Sequence, residues 1–332
     1  MNRQEKLKCS VHNKILDILN YDYQFAGSND NLAPNITNKS LLIGHNHTAA
    51  SWYSYKKIGK GNNQHKILFI TMERDRKPPK KELTEIIQKF SPDVVFVMTK
   101  KIYSDYQLLI PEGNYLTIIL PVDAQAPFSP LKPKPDVLVI SAGNQGRYAG
   151  LMTLTFEKGK LTKWKNTPLI LKKGYKANTK VESEIYKYKR RLKKEKFLLF
   201  RIKKISPIGF IGTKNCIECH KEEYKMWSTK GHAKAFETLI KVNSDYDPEC
   251  VGCHVVGFDY EEGFLSPDTT PDLIDVGCEE CHGPGARHLV NPDLPGYGKT
   301  NGEKVCLNCH THERSPDFEY KKFLEKIKHW KD

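Results

Sequence analysis

Four copies of one short motif, Cys-x-x-Cys-His, occur in the last third of this 332-residue chain. They are Cys216-Ile-Glu-Cys219-His220, Cys250-Val-Gly-Cys253-His254, Cys278-Glu-Glu-Cys281-His282 and Cys306-Leu-Asn-Cys309-His310. This spacing suits covalent haem attachment, because two thiols bond to two vinyl groups of one porphyrin and the next histidine ligates the iron. The sequence therefore predicts four covalently bound haem c groups.

Zinc is the main alternative, because paired Cys-x-x-Cys units also build sites of four thiolates, or of two thiolates and two imidazoles. Such sites do not need a histidine directly after every second cysteine. Here a histidine follows in all four copies, so we favour haem. Each motif histidine is then expected to be the proximal ligand of its own iron: His220, His254, His282 and His310.

The distal ligands must come from elsewhere in the chain. Besides the motif residues, residues 207–332 contain four further histidines: His232, His288, His312 and His329. All four are candidate distal ligands. His312 lies two residues from His310, so it could serve only a neighbouring haem. Met226 could also ligate iron, but beside Trp227 we expect it to pack in the core.

Length and charge limit the class of protein. The chain is long enough for two domains, each with its own core. Eight of the nine cysteines belong to the motifs, and Cys9 is expected to be a free or buried thiol. The formal net charge of +14 overstates the charge of a haem protein, because each haem adds two propionates.

The segment from residue 172 to residue 204 is strongly basic. It contains fourteen Lys and Arg residues and only three Glu residues. Helix propensity predicts a helix over residues 183–196. The segment is either a solvated connector or a docking surface for an acidic redox partner or an anionic cell surface. Nucleic acid is not an expected partner, because no recognition module accompanies the charge.

The cofactor bears on the cellular location. Haem is attached to thiols outside the cytoplasm in bacteria and archaea, so we expect a periplasmic or extracellular protein. Residues 1–39 contain no apolar segment typical of a signal peptide, so we expect that such a segment was lost or lies upstream of this sequence. No apolar run is long enough to span a bilayer, and we expect a soluble protein without a transmembrane segment.

The first half alternates apolar runs with polar helices. Residues 66–72 and 93–98 are predicted strands, and the helix predicted between them over residues 79–90 implies that they are parallel. Further strands are expected over residues 115–120 and 136–140, followed by a hairpin over residues 151–164. This pattern indicates an α/β layered sandwich.

The second half has a different composition. Past Pro207 the aliphatic content falls and Gly, Pro, His and acidic residues increase. Such a sequence could hardly build an ordinary core, but haem faces are large apolar surfaces that can replace one. We expect an α/β domain over residues 1–171, a basic helical connector over residues 172–206, and a mainly α, haem-packed cytochrome domain over residues 207–332.

Several stretches resemble the tetrahaem cytochrome c-554 family. They are Cys216–Trp227, Lys230-Gly-His232-Ala-Lys-Ala-Phe236, Asp247-Pro-Glu-Cys250, Cys278–His288 and Cys306–His310. The resemblance implies electron transfer through closely stacked haems, mostly with two axial histidines, and in some members one iron without a strong sixth ligand. His232 and His288 match family positions and are our preferred distal ligands, whereas His312 and His329 stay open.

The first 200 residues resemble the metallophosphatase domain of the 5′-nucleotidase family, best over Val137–Gly150 and the hairpin that follows. The family's opening Asp-x-His strand is absent, so this domain looks N-terminally incomplete. Its other metal-binding positions hold Gly27-Ser-Asn-Asp30, Thr99-Lys100 and Pro121–Gln125. We therefore expect a degenerate domain without a di-metal centre or phosphoesterase activity. His45 and His47 are expected in a surface loop rather than as metal ligands.

These observations predict a multihaem electron carrier rather than an enzyme, with the first domain as a non-catalytic scaffold or docking module. Redox proteins are the expected partners, including other multihaem cytochromes, and self-assembly of the chain is a further hypothesis. The main alternative is a haem enzyme that reduces a small nitrogen or sulfur oxyanion at a five-coordinate haem. A surviving phosphoesterase is the least favoured reading, because its ligands are missing.

Overall fold

A computed structural model of the protein describes residues 3–25, 41–43, 52–61, 64–72, 79–99, 110–121, 124, 126–143, 146–157, 160–172, 174–201, 203–206, 208–293, 295, 297–298, 300 and 302–329. The chain divides into two compact units, Met1–Glu182 and Ser183–Asp332. The division falls inside a helix, Thr179–Lys194. Each unit is described by itself. Our domain limits at residues 171 and 206 stay predictions.

The first unit is built on a mixed sheet. Its helices are α1 (Arg3–Leu19) and α2 (Lys80–Phe90), and its strands are β1 (Tyr23–Phe25), β2 (Leu41–Ile43), β3 (Tyr53–Ile58), β4 (His65–Met72), β5 (Val94–Thr99), β6 (Leu116–Pro121), β7 (Leu131–Lys134), β8 (Val137–Val139), β9 (Tyr148–Glu157) and β10 (Lys160–Ile170). Six strands form one sheet in the order β3-β4-β5-β6-β8-β7. The neighbours from β4 to β8 run parallel, and β3 and β7 are antiparallel edge strands.

The central strands of this sheet are buried on both faces, as expected for parallel strands covered by other elements. Leu83, Ile86 and Ile87 of α2 belong to the buried cluster on one face. On the other face, apolar side chains of the antiparallel β9–β10 hairpin, such as Leu154 and Trp164, pack against a second buried cluster. The α/β layered arrangement predicted from the sequence is therefore present, and β4 and β5 are parallel as predicted.

The second unit is mainly helical. After α3 (Thr179–Lys194), its helices are α4 (Lys221–Ser228), α5 (Ala235–Lys241), α6 (Pro248–Val251), α7 (Cys278–His282), α8 (Ala286–Val290), α9 (Glu303–Leu307) and α10 (Tyr320–Ile327). Short 3-10 turns cover Phe197–Phe200, Thr213–Cys216, Gly231–Lys234 and Pro271–Leu273. None of the helices in the described ranges of either unit is long and apolar enough to cross a membrane.

The protein core of the second unit is small. Its main cluster among the described residues consists of nine buried apolar residues: Leu198, Phe236, Leu239, Val251, Val255, Val256, Phe258, Phe264 and Leu273. Four of its helices, α4, α8, α9 and α10, bury none of their described residues fully. Short helices gain most of their stability from packing an apolar face. The polypeptide by itself therefore gives these four helices little to pack on.

A tight turn follows the second cysteine motif and depends on glycine. Gly257 has a φ of +64°, a left-handed conformation that favours glycine. A Cβ on Gly263 would lie 1.8 Å from the carbonyl oxygen of Gly257, so only glycine fits there. This close approach lets the backbone N–H of Phe264 donate to the carbonyl of Val256 at 3.0 Å. The turn thereby brings Val256 and Phe264, two residues of the buried cluster, together shortly after the second motif.

Candidate functional site

Three of the four Cys-x-x-Cys-His motifs are folded as a helical turn, and the second begins in α6 and continues in a turn in which His254 N–H donates to Val251 O at 2.8 Å. The backbone N–H of His220 donates to the carbonyl of Cys216 at 2.9 Å, and that of His310 donates to Cys306 at 2.8 Å. The third motif is the whole of α7. Residues three and four apart lie on one face of a helical turn. Both cysteines and the histidine of a motif are thus presented on the same side.

The motifs meet in two pairs through their cysteines. Cys216 of the first motif contacts Cys278 of the third, and the hydrogen bond between these thiols raises the pKa of Cys216. In the same way, Cys253 of the second motif contacts Cys309 of the fourth, and this hydrogen bond lowers the pKa of Cys253 to about 6. In a haem protein these thiols would be thioether sulfurs. The first and third attachment sites are therefore neighbours, as are the second and fourth.

Three motif histidines each face a histidine from outside the motifs. The ring centroids are 6.2 Å apart for His220 and His288, 6.3 Å for His310 and His232, and 6.0 Å for His282 and His329. Metal–imidazole bonds are about 2 Å long and the ring centroid lies about 1 Å further out, so two imidazoles on opposite sides of one ion have centroids about 6 Å apart. All three separations suit a single iron between the rings.

Four imidazoles, three from the pairs and that of His254, are held at one nitrogen, which leaves the other available. The Nδ1 atoms contact protein oxygens in four cases: His254 with Ala235 O at 2.7 Å, His282 with Gly298 O at 2.7 Å, His310 with Ser315 Oγ at 3.1 Å and His329 with Ile327 O at 3.0 Å. A contact of this kind at one nitrogen orients the ring and presents the other nitrogen to a metal. The donor set therefore fits haem iron.

His288 differs from these histidines. Its Nδ1 atom is buried and has no hydrogen-bond partner among the described residues. A buried polar atom without a partner carries a cost of about 1–3 kcal/mol. A bound group that takes this nitrogen as a ligand would remove that cost, which again fits a haem iron between His288 and His220.

The protonation state of His232 also suits a ligand. Burial lowers the pKa of His232, and nearby His310 and His254 lower it further. Burial lowers the pKa of His310 as well. Metal ligation requires neutral imidazole, and this environment favours that form.

His254 and His312 have no such partner. Within the described part of the chain no second histidine ring faces His254, and the nearest side-chain contact of its Nδ1 is Thr238 Oγ1 at 3.5 Å. His312 is exposed, and no hydrogen bond or ring contact joins it to another described residue. Three of the four distal candidates from the sequence are therefore brought to a motif histidine, and His312 is not.

Sequence reasoning missed one buried carboxylate. Glu279 lies inside the third motif and is only 3% exposed. Its oxygens accept hydrogen bonds from the backbone N–H groups of Ile211, Gly212 and Gly285 at 2.7–3.1 Å. Glu279 thereby ties the segment before the first motif to the turn that leads into α8 and His288. Its neighbour Glu280 is of the same residue type, so the sequence carried no signal to single out Glu279.

Groups of three or more His, Cys, Asp and Glu side chains that could hold a metal ion are not found among the described residues. Three motif histidines each lie close to one further histidine, which gives two candidate ligands at each place. A structural zinc site needs four ligands. In the first unit, Thr99 is buried at the end of β5. Gly27–Asp30, Lys100, Asp123, Gln125, His45 and His47 lie outside the described residues.

The comparisons with known proteins address the second unit most directly. Residues 215–283 match the family described as cytochrome c554 and c-prime. Cytochrome c-554 of Nitrosomonas europaea is 41% identical over 141 residues, which cover 32% of this chain and 60% of the relative. The chain thus spans about 60% of the length of this curated relative. The predicted resemblance to cytochrome c-554 is confirmed for the C-terminal part.

Two solved structures show a weaker likeness. Sulfate thiohydrolase SoxB from Thermus thermophilus in complex with glycerol has a TM-score of 0.36 and 12% identity, covering 55% of this chain and 40% of that chain. The 5′-nucleotidase from Candida albicans SC5314 has a TM-score of 0.32 and 10% identity, covering 55% and 42%.

Proposed function

We propose that this protein is a tetrahaem electron carrier in which the second unit binds four covalent haem c groups. The observation that carries the proposal is the set of three histidine pairs, with ring centroids 6.0–6.3 Å apart, each joining a motif histidine to one from outside the motifs. The match to cytochrome c-554 supports the same function. Once bound, haem supplies one-electron cycling between Fe(III) and Fe(II).

Each iron receives its own ligands in this proposal. The first motif uses His220 with His288, the third uses His282 with His329, and the fourth uses His310 with His232. His254 of the second motif is the sole histidine ligand of its iron. His312 has no place in the assignment.

The polypeptide contributes positioning and environment. Cys216 is close to Cys278 and Cys253 is close to Cys309, so the first attachment site lies beside the third and the second beside the fourth in this proposal. Oxygen atoms at the Nδ1 positions of four ligands fix their rings and tune their basicity. Electron transfer between neighbouring centres needs this fixed proximity and no substrate chemistry.

A second candidate function rests on His254, which faces no other histidine among the described residues. A five-coordinate haem there could bind and reduce a small nitrogen or sulfur oxyanion. The two functions are separated by titrating the dithionite-reduced protein with carbon monoxide. One equivalent per four haems is expected, because only an iron without a second imidazole has a free position.

A turnover assay then decides between relay and catalysis. We expect no consumption of nitrite, hydroxylamine or sulfite with reduced viologen as the electron source. Turnover that disappears when carbon monoxide occupies the single site would instead establish the haem enzyme. Failure of the protein to bind any carbon monoxide would show that the iron of His254 has a sixth ligand.

The first unit serves, in this proposal, as a non-catalytic scaffold or docking module. Its sheet is packed by α2 on one face and the β9–β10 hairpin on the other, and this packing does not depend on metal ligands.

Covalent haem attachment places the protein in the periplasm or outside the cell.

The partner proposed for electron exchange is an acidic redox protein, and α3 is its docking element. Lys189 donates to the carbonyl of Val242 at 2.7 Å and Lys193 lies 4.5 Å above the ring of Tyr246, which holds this end of α3 against the segment before the second motif. Arg190 and Lys194 are exposed. No carboxylate among the described residues forms an ion pair with either. Such unpaired cations attract an acidic partner to the side of the second motif.

A further inference from the structure

Tyr297 packs against His288, the histidine that we assign as the distal ligand of the first motif's iron. Its ring is stacked on the ring of His288, with centroids 4.4 Å apart and an angle of 13° between the planes. Its hydroxyl donates to the carbonyl of Gly283 at 3.0 Å. Gly283 directly follows His282, the last residue of the third motif. Tyr297 is thus anchored on one attachment site and touches the distal histidine of another.

The helix that carries His288 offers little other support for its ring. This helix, α8, has five residues and none of them is fully buried. Neither ring nitrogen of His288 has a hydrogen-bond partner among the described residues, whereas four other ligand candidates are oriented by an oxygen at Nδ1. Stacking on Tyr297 therefore takes the place of the hydrogen bond that orients the other rings.

We propose that Tyr297 is a positioning residue that fixes the plane of the His288 imidazole and thereby sets the reduction potential of the first motif's iron. This inference rests on the proposed ligand pair of His220 and His288. Groups that orient a ligand from outside the coordination sphere tune the metal it binds. A stacked aromatic ring restricts rotation of the imidazole, and a parallel offset stack is a favourable arrangement for two rings.

The phenol makes two contacts, which substitutions can separate. Tyr297→Phe keeps the stacked ring and removes only the hydrogen bond to Gly283. Tyr297→Leu removes the stack as well. A matched control is Tyr224→Leu, because Tyr224 is also half-buried next to the first motif but its ring contacts Trp227, with centroids 5.6 Å apart, rather than a histidine.

The test is a potentiometric titration of the holoprotein, followed by electron paramagnetic resonance of the low-spin haems. We expect Tyr297→Leu to shift one low-spin signal and one of the four midpoint potentials and leave the others unchanged. Tyr297→Phe should retain the wild-type signal, which would assign the effect to the stack. Tyr224→Leu should change neither the signals nor the potentials.

A Tyr297→Leu protein with four haems, unchanged signals and unchanged potentials would overturn the proposal. If that variant does not take up its haems, Tyr297→Trp replaces it, because a larger stacked ring must displace the same signal if the proposal holds. His288→Ala is measured in parallel. If His288→Ala leaves the three low-spin haems unchanged, the ligand pair itself is wrong. If it converts one of them to high spin while no Tyr297 variant has an effect, only the positioning role fails.

Discussion

At the scale of single residues, His329 gives a sharp test of the ligand set, because it was the least determined of the paired histidines in the sequence. Its ring centroid lies 6.0 Å from that of His282, and its Nδ1 contacts the carbonyl of Ile327 at 3.0 Å. We predict that His329→Ala converts one haem from low to high spin and raises its potential, because a strong-field imidazole is lost. About a quarter of the haem absorption should change.

The exposed His312 provides the control for this substitution. His312→Ala should leave the three haems with two histidine ligands low spin and the spectrum of the fourth unchanged, because His312 contacts no described residue through a hydrogen bond or ring. Absorption and magnetic resonance spectra of both variants give the answer. A spectral change in His312→Ala, or none in His329→Ala, would contradict the assignment.

Glu279 supports a second prediction at this scale, concerning stability. Glu279→Gln replaces a carboxylate that accepts backbone hydrogen bonds from Ile211, Gly212 and Gly285. Hydrogen bonds to a charged group contribute about 1.5–3 kcal/mol, so we expect a loss of about 2 kcal/mol in the free energy of unfolding. Denaturant unfolding of the holoprotein, followed by circular dichroism, measures this loss.

Glu218→Gln is the matched control for Glu279→Gln. Glu218 also lies between the two cysteines of a motif but is exposed. Its replacement should leave the unfolding midpoint within the error of the measurement. Equal effects of the two substitutions would show that burial of Glu279 is not the cause.

Site residues are easiest to predict from the sequence where they are consecutive in the chain. The motif spacing alone predicts the proximal histidines. His232 and His288 needed a family resemblance, since nothing in the spacing links them to a motif. The pairing of His329 with His282 depends on where the chain lies after α10, and the burial of Glu279 depends on a segment 67 residues away, at Gly212. Neither the pairing of His329 nor the burial of Glu279 can be predicted from the neighbouring residues in the sequence.

At the scale of elements, periodicity identified the buried strands and the amphipathic α2 but not every boundary. The basic helix begins at Thr179, earlier than the predicted residue 183, because Asn178 Oδ1 caps it by accepting from the backbone N–H groups of Lys180 and Val181 at 3.1 and 3.3 Å. The β9–β10 hairpin extends beyond residues 151–164, because pairing continues from Tyr148 to Ile170. Helix α1 had not been predicted.

Helix α3 carries a prediction about partner binding. Replacing both Arg190 and Lys194 with Glu should slow reduction by a reduced acidic flavodoxin at least tenfold at low salt, because two cations of the docking surface become anions. Stopped-flow absorption follows the reaction at increasing ionic strength. The rate of the wild-type protein should fall with salt, and that of the variant should fall less.

The control places the same charge change on another helix. Lys80 and Lys81 are exposed on α2 in the first unit, and their double replacement by Glu should alter the rate far less. The haem spectra of both variants should match that of the wild type. Equal slowing by the two double variants would show that net charge, and not α3, governs the reaction.

At the scale of the whole molecule, the first unit has a layered sheet, and the positions at which we expected metal ligands hold Gly27-Ser-Asn-Asp30, Thr99-Lys100 and Pro121–Gln125. We predict that the full chain binds no stoichiometric manganese or zinc and does not hydrolyse nucleotides, because polarising phosphate takes converging carboxylates and imidazoles. Elemental analysis of the holoprotein, with haem iron counted separately, and a phosphate-release assay with added manganese test this. Two equivalents of a divalent metal together with hydrolysis would overturn it.

The second unit has few buried apolar residues for its size, which bears directly on haem binding. Its main apolar cluster has nine residues, and four of its helices have no fully buried residue among those described. We therefore expect that cofactor completes the packing, as the composition past Pro207 predicts. The layout of the histidine pairs could not be predicted, because it depends on how distant turns meet in space.

The most direct measurement is the intact mass of the purified protein after acid–acetone extraction, combined with its pyridine haemochrome spectrum. Thioether bonds survive this treatment, whereas coordinated metal and non-covalent haem are lost. The account predicts a chain that carries four haem masses and a c-type haemochrome of four equivalents. A chain at the mass of the bare polypeptide, purified with stoichiometric zinc and no Soret band, would contradict it.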